Sequence, residues 1–208
     1  MNHPTIQQLD PRNIGPSRWH ARHSSAFKTA GFAGLKESLA HTGGNLVPVY
    51  VRPEGDRFVL AYGVLRTQAC TELGLPVRAI VDPALTEHEL VAAMSAEAQG
   101  GTPLSPYELG LAAKRMLDAG LIPSKRRAAE RLGLLLKDLT GALAIADLPA
   151  EVLVAFDCPT AIRTTWAPQL LASYERDPAG FPQRVARVKA ERVRSDARVL
   201  FRALTAEQ

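Results

Sequence analysis

Long apolar runs are missing from this 208-residue chain. No stretch approaches the ~20 apolar residues that a membrane-spanning helix needs, so no membrane partner is expected. The first residues, MNHPTIQQLDPRN, lack the basic-then-apolar order of a secretory signal. Cysteine is scarce: Cys70 and Cys158 stand alone in no CxxC pair, and two isolated thiols build no disulfide framework. A cytoplasmic location is the expectation. His3, His20, His23, His41 and His88 show neither H-x-x-H nor H-E-x-x-H spacing, which disfavours a zinc hydrolase. Repeats and low-complexity segments are absent too. What remains, 46% hydrophobic and 22% charged residues, is the composition of a globular chain with room for one large domain or two small ones.

Charge is unevenly laid out. Residues 113–137 hold seven Lys/Arg against Asp118 and Glu130, and residues 183–202 hold seven against Glu191 and Asp196. Each cluster is therefore +5, and since the whole chain is +4, everything else carries −6. An acidic first half and a basic second half point to a polyanion partner for the second half. For either cluster taken alone, a solvated helix face is the simpler account of the charge.

The first half alternates helical and strand patterns. Phe32, Leu35 and Leu39 recur at helical spacing and end at Gly43-Gly44-Asn45. Leu46–Val51 and Arg57–Tyr62, joined through Pro53-Glu-Gly-Asp56, predict a hairpin. A helix from about Val64 ends at Gly74, Val77–Val81 makes a third strand, and Thr86-Glu-His-Glu89 is a capping box that opens another helix. Gly100-Gly101-Thr102-Pro103 then breaks the chain, which sets expected domains at 1–103 and 104–208. The second half reads as all helix. Ser105-Pro-Tyr-Glu108 combines an N-cap, a proline at N1 and a glutamate at N3 for a helix to Gly120. Further helices are predicted near 124–132, 137–146, 149–156, 160–176 and 181–204. The predicted class is an α+β N-terminal domain followed by an all-α domain.

Within the second half, Ala129, Gly133 and Leu139 have the A-x3-G-x5-L spacing of a helix-turn-helix, over about 124–146. A small residue lets the second helix cross closely, the glycine takes a left-handed turn, and the leucine plugs the shared core. Ser124 is a candidate N-cap; Lys125, Arg126 and Arg127 crowd the start of the first helix, where side chains and free N–H groups both attract phosphate. Lys114 and Arg115 add basic charge on the preceding helix. Lys137, Asp138, Thr140 and Gly141 are the candidate groove-facing residues of the second helix. They include no Arg, Asn or Gln for bidentate base contacts, and the turn Leu134-Leu-Leu136 is unusually apolar.

Taken in order, several strings resemble the ParB/RepB family of partition proteins, plasmid-borne members especially. They are Pro16-Ser-Arg-Trp-His-Ala-Arg22, Phe32-Ala-Gly-Leu-Lys-Glu-Ser38, Gly43-Gly-Asn-Leu-Val-Pro-Val-Tyr-Val-Arg52 and Phe58-Val-Leu-Ala-Tyr-Gly63. Leu104-Ser-Pro-Tyr-Glu-Leu-Gly110, Arg131-Leu-Gly133 and Ala146-Asp-Leu-Pro-Ala-Glu-Val152 continue them. The resemblance implies a ParB/sulfiredoxin-like N-terminal fold, binding of double-stranded DNA, a homodimer, a partition ATPase partner and a CTP-dependent clamp. The family's phosphate motif resembles Gly-(Glu/His)-Arg-Arg; here Gly63-Val-Leu-Arg66 keeps the glycine and one arginine. Its second motif resembles Glu-Asn-x-Gln-Arg; here Glu97-Ala-Gln-Gly-Gly101 keeps the glutamate, while Ala98 offers Mg²⁺ no oxygen and Gly101 offers phosphate no charge. At ~1.5–3 kcal/mol per charged hydrogen bond, these losses cost CTP several kcal/mol. Arg22, Gly63, Arg66 and Glu97 are then the remains of a nucleotide site, and solvated helix-end residues are an equal reading of Arg66 and Glu97.

No catalytic residue is expected. A sulfiredoxin-type enzyme wants a thiol just ahead of its phosphate-binding arginine, and residues 61–65 hold none; Cys70 reads as a buried structural thiol, and Trp19 and Trp166 as core anchors. The competing function is a protein-interaction or regulatory module of a partition or conjugation system, with weak DNA binding.

Overall fold

The computed structural model describes residues 3–100, 102–191 and 196–206, with side chains for all of these but 98–100 and 191. The chain divides into two compact units, Met1–Pro103 with Arg131–Gly133, and Leu104–Glu130 with Leu134–Gln208.

In the first unit the elements run β1 (Thr5–Leu9), β2 (Ile14–Pro16), α1 (Ala30–Thr42), β3 (Val49–Glu54), β4 (Arg57–Tyr62), α2 (Val64–Leu73), β5 (Val77–Val81) and α3 (Glu87–Gly100). The strands form one mixed sheet in the order β1-β5-β3-β4-β2. The hairpin β3–β4 is antiparallel, β3 and β5 are parallel, and the edges add β1 antiparallel to β5 and β2 parallel to β4. Phe32 and Leu39 of α1 and Ala69 and Cys70 of α2 close over Val49, Val51, Leu60, Val77, Ala79 and Val81 of the sheet. Cys70 is fully buried, and its desolvation pushes the thiol above its ordinary range.

The two edge strands are absent from the sequence reading. Thr5–Leu9 buries only its last residue, and Ile14–Pro16 is three residues with Gly-Pro inside. Neither carries a period-2 pattern, so only pairing with a neighbour makes them strands. The hairpin is also displaced: β3 starts at Val49, not Leu46, and runs through Pro53. Leu46 and Val47 are 69% and 66% exposed. Buried Asn45 explains the late start, since its side-chain amide donates to the carbonyls of Val47 and Arg78 and accepts from the Arg78 N–H. It stands in for the strand ladder there. The Thr86–Glu89 capping box forms as read, with Glu89 accepting from the Thr86 N–H and Thr86 from the Glu89 N–H. Trp19 is buried, and its indole N–H donates to Glu87 at 3.2 Å.

The second unit is helical throughout: α4 (Pro106–Asp118), α5 (Lys125–Leu132), α6 (Leu136–Ala146), α7 (Ala150–Ala155), α8 (Ala167–Arg176), α9 (Phe181–Glu191) and α10 (Ala197–Thr205). The Ser105 capping box that opens α4 is complete. A Cβ on Gly110 would lie 2.0 Å from the Ala142 carbonyl, so glycine lets α4 and α6 cross backbone to backbone. A second core gathers Ile145, Val152, Ile162, Leu170, Phe181, Leu200 and Leu204, and Trp166 stacks on Phe201 with ring centres 4.6 Å apart.

Two helices are shorter than their sequence patterns. The segment expected to be helical from 160 makes two 3-10 turns, Pro159–Ala161 and Thr164–Trp166, before α8 starts at Ala167. Pro168 explains the start, because proline is tolerated only in a helix's first turn. The segment expected as one helix over 181–204 is two: Asp196 caps α10, accepting from the Arg198 N–H. Arg192 and Arg194, part of the second basic cluster, lie outside the described residues. Among the described residues, no helix is long and apolar enough to cross a membrane.

Candidate nucleic-acid interface

Helices α5 and α6 are joined by three residues, Gly133 to Leu135. Gly133 adopts φ +66°, the left-handed conformation that the spacing of the motif demands, and the Leu134 N–H donates back to the Ala129 carbonyl at 2.9 Å. Ala129 and Leu139 are buried, as their places in the pattern require. Ser124 caps α5, its hydroxyl accepting from the Arg127 N–H at 3.3 Å. Lys125, Arg126, Arg127 and Lys137 are all exposed. Glu130 sits one turn along α5 and pairs with both arginines, 2.9 Å from Arg127 and 3.4 Å from Arg126. The hydrogen bond from Arg127 holds its carboxyl below the usual range. This internal counter-charge was not singled out from the sequence, although its i+3 and i+4 spacing from the arginines is a readable signal.

Other candidate residues sit differently. Lys114 lies 2.9 Å from Asp147 and 3.6 Å from Asp118, and the Asp147 bond raises its ammonium above the ordinary range. These are surface ion pairs, and Arg115 beside Lys114 is exposed. Gly141 departs from its reading as a groove-facing residue. A Cβ there would meet the Thr164 side chain at 2.8 Å, so this glycine is a close approach to Thr164 and not a base-facing position. Thr140 is exposed, but its hydroxyl donates to the Leu136 carbonyl at 2.8 Å. Asp138 is exposed, with its N–H bonded to the Leu135 carbonyl.

In the first unit, Gly63, Arg66 and Glu97 come together at the start of α2. Gly63 has φ +105°, and a Cβ on it would fall 2.5 Å from Val49 Cγ1, so no other residue fits. Its N–H donates to one Glu97 oxygen at 3.0 Å, and the guanidinium of Arg66 pairs with the other. Arg66 also donates to the carbonyls of Val47 and Pro48, at 2.9 Å each, and lies 5.9 Å from the Tyr62 ring centre. Glu97 and Arg66 are therefore a half-buried ion pair, not solvated helix ends. Arg22 donates its guanidinium to the carbonyls of Thr102 and Pro103. With His20 and Thr67 it lines a cavity of about 300 Å³. Burial and the Arg22 charge depress the His20 imidazole to about 4. Ala98, Gln99 and Gly101, on which the reading of the second motif turns, lie outside the described side chains.

A mixed five-stranded sheet covered by helices, followed by a helical unit with a tight αα-turn, defines an α+β protein of a recognisable class. Residues 1–98, just under half of the chain, match the ParB N-terminal domain. The probable chromosome 1-partitioning protein ParB of Deinococcus radiodurans is 30% identical over 157 residues, 73% of this chain and 51% of that protein. The chromosome-partitioning protein Spo0J of Thermus thermophilus is 32% identical over 114 residues, 55% of this chain and 42% of that protein. The chain thus spans about half the length of the curated relatives it matches. Among solved structures, C-terminally truncated ParB of Caulobacter crescentus, complexed to the centromeric parS site, is similar over 96% of this chain and 100% of that one, at 17% identity and a TM-score of 0.49.

Proposed function

We propose that this protein is a partition protein that binds double-stranded DNA through α5 and α6, and that its nucleotide site is degenerate. The observation that carries the first half is the exposure of Lys125, Arg126, Arg127 and Lys137 at two helix starts joined by the left-handed Gly133 turn. Helix starts present N–H groups with no partner in the helix, so cations placed there reinforce an anion site. Domains at 1–103 and 104–208, a homodimer and a partition ATPase partner belong to the same reading.

The test is DNA binding at several salt concentrations. Replacing Arg126, Arg127 and Lys137 with Ala removes about three phosphate contacts, so the slope of log K against log salt falls by roughly 2–3 units. A folded triple variant that binds as the wild type does rules out this element.

The second half is supported by the Arg66–Glu97 pair. A triphosphate at the start of α2 would meet the Glu97 carboxylate on the Gly63 N–H, and an Arg66 already bonded to three partners. The residues present do not fit the group. Calorimetry with CTP and Mg²⁺ is expected to give a Kd no tighter than about 1 mM, the scale on which the missing charged bonds leave little net affinity. A micromolar Kd would refute degeneracy.

One observation favours the protein-interaction module as a second reading: Leu135 and Leu136 are 62% and 48% exposed. Association with a protein through those leucines would depend little on salt, whereas phosphate contacts release counterions.

A further inference from the structure

Two adjacent leucines at the start of α6 face solvent although the helix has a core to join. Leu139, Ala142 and Leu143 are buried, while Leu135 and Leu136 are left 62% and 48% exposed. Fully burying a leucine is favourable by about 1.5–3 kcal/mol, so folding leaves that gain unused at both. The polar groups beside them are few. Thr140 has donated its hydroxyl proton to the Leu136 carbonyl, and Gly141 is closed against Thr164. Lys137 and Asp138 are the remaining polar side chains of the first turn. Leu135 is the N-cap residue and brings no side-chain hydrogen bond to the helix start.

The surroundings say what covers these leucines. Exposed Lys125, Arg126, Arg127 and Lys137 stand at the two helix starts of the motif, which fits a strongly anionic partner and not an apolar protein face. In a helix-turn-helix the start of the second helix is the part that meets base edges in the major groove. Each base pair shows a distinct pattern there, and its one apolar feature is the C5-methyl of thymine. An apolar pair on a basic element is matched to that feature.

Building on the DNA-binding function above, we propose that Leu135 and Leu136 read thymine methyl groups in the major groove. The bound duplex then carries thymines where α6 enters, and readout at these positions is apolar instead of bidentate.

The test changes methyl groups alone. Duplexes recovered from a random pool with the full chain are resynthesised with deoxyuridine in place of thymidine. Binding is expected to weaken about fourfold per contacted methyl, so about fifteenfold for two, from the free energy of burying one such group. The salt slope is expected to stay the same, because no phosphate contact is touched. The double variant Leu135→Ala, Leu136→Ala binds the thymine duplex more weakly by a similar factor and no longer distinguishes it from the uracil duplex. Both positions are exposed, so the melting temperature of the variant stays near that of the wild type. Equal, salt-dependent binding of the two duplexes by the wild type overturns this proposal, leaves DNA binding standing and makes the leucine pair a protein contact. Absence of salt-dependent binding to any duplex overturns the DNA-binding function and this proposal together.

Discussion

Helices α2 and α5 both begin with the parts of an anion site, backbone N–H groups and arginine, and they are finished in opposite ways. At α2 a carboxylate from 34 residues away, Glu97, takes the Gly63 N–H and the Arg66 guanidinium, and two carbonyls take the rest of the arginine. At α5 the cap is Ser124, and the arginines share one local carboxylate while remaining 81% and 70% exposed. The difference shows that a cation beside a helix start is no binding site until its other partners are counted. A desolvated ion pair holds its geometry against a ligand, while an exposed i,i+4 pair is worth only ~0.3–0.5 kcal/mol and yields readily to phosphate.

The largest blow to this contrast is Gly63→Ala. Its Cβ would overlap the Val49 side chain at 2.5 Å while the backbone stays at φ +105°. Overpacking and strain together cost about 3 kcal/mol or more in denaturant unfolding. An unfolding midpoint equal to the wild type's would mean the start of α2 is looser than its geometry implies.

Acid is the next lever. His20, bonded to Ser17 at 3.0 Å, has its imidazole depressed to about 4 from an ordinary 6.5. The unfolded chain therefore binds the proton first, so the stability His20 contributes is intact above pH 6.5 and is lost as pH falls toward 4. The loss reaches at most about 3 kcal/mol, at 1.36 kcal/mol per pKa unit. Chemical denaturation from pH 7 to 4, compared with His20→Gln, reads it; identical slopes for the two proteins would remove His20 from the account.

Glu97→Gln makes the smallest change and the sharpest comparison. It lowers stability by about 1–2 kcal/mol, the scale of a lost charged hydrogen bond, and releases Arg66. The variant's melting temperature is then expected to rise with added inorganic phosphate more than the wild type's does, which would make the start of α2 behave like an open site. Equal phosphate responses would show that Glu97 is not what closes it.

Much of this was legible in the residues because it is short-range. The capping boxes at Thr86–Glu89 and Ser105–Glu108 and the turn at Gly133 all form as their spacing requires. Such features involve residues three to five apart, which chain geometry brings together whatever else the protein does. Other features had no local signal. β1 and β2 lack alternation, and become strands by pairing with β5 and β4. Nothing local to Lys114 signals that Asp147 lies 2.9 Å from its ammonium.

The sequence by itself determined the two basic clusters, the helix starts and stops, and the order of α+β elements before helical ones. Only the tertiary structure decided which cations are free to meet a ligand. Arg66 loses its freedom to residues 18, 19 and 31 positions away, and Gly141 closes against Thr164. A charge is written in one residue, but its availability depends on desolvation and partners, and those are set by chain segments that meet only on folding.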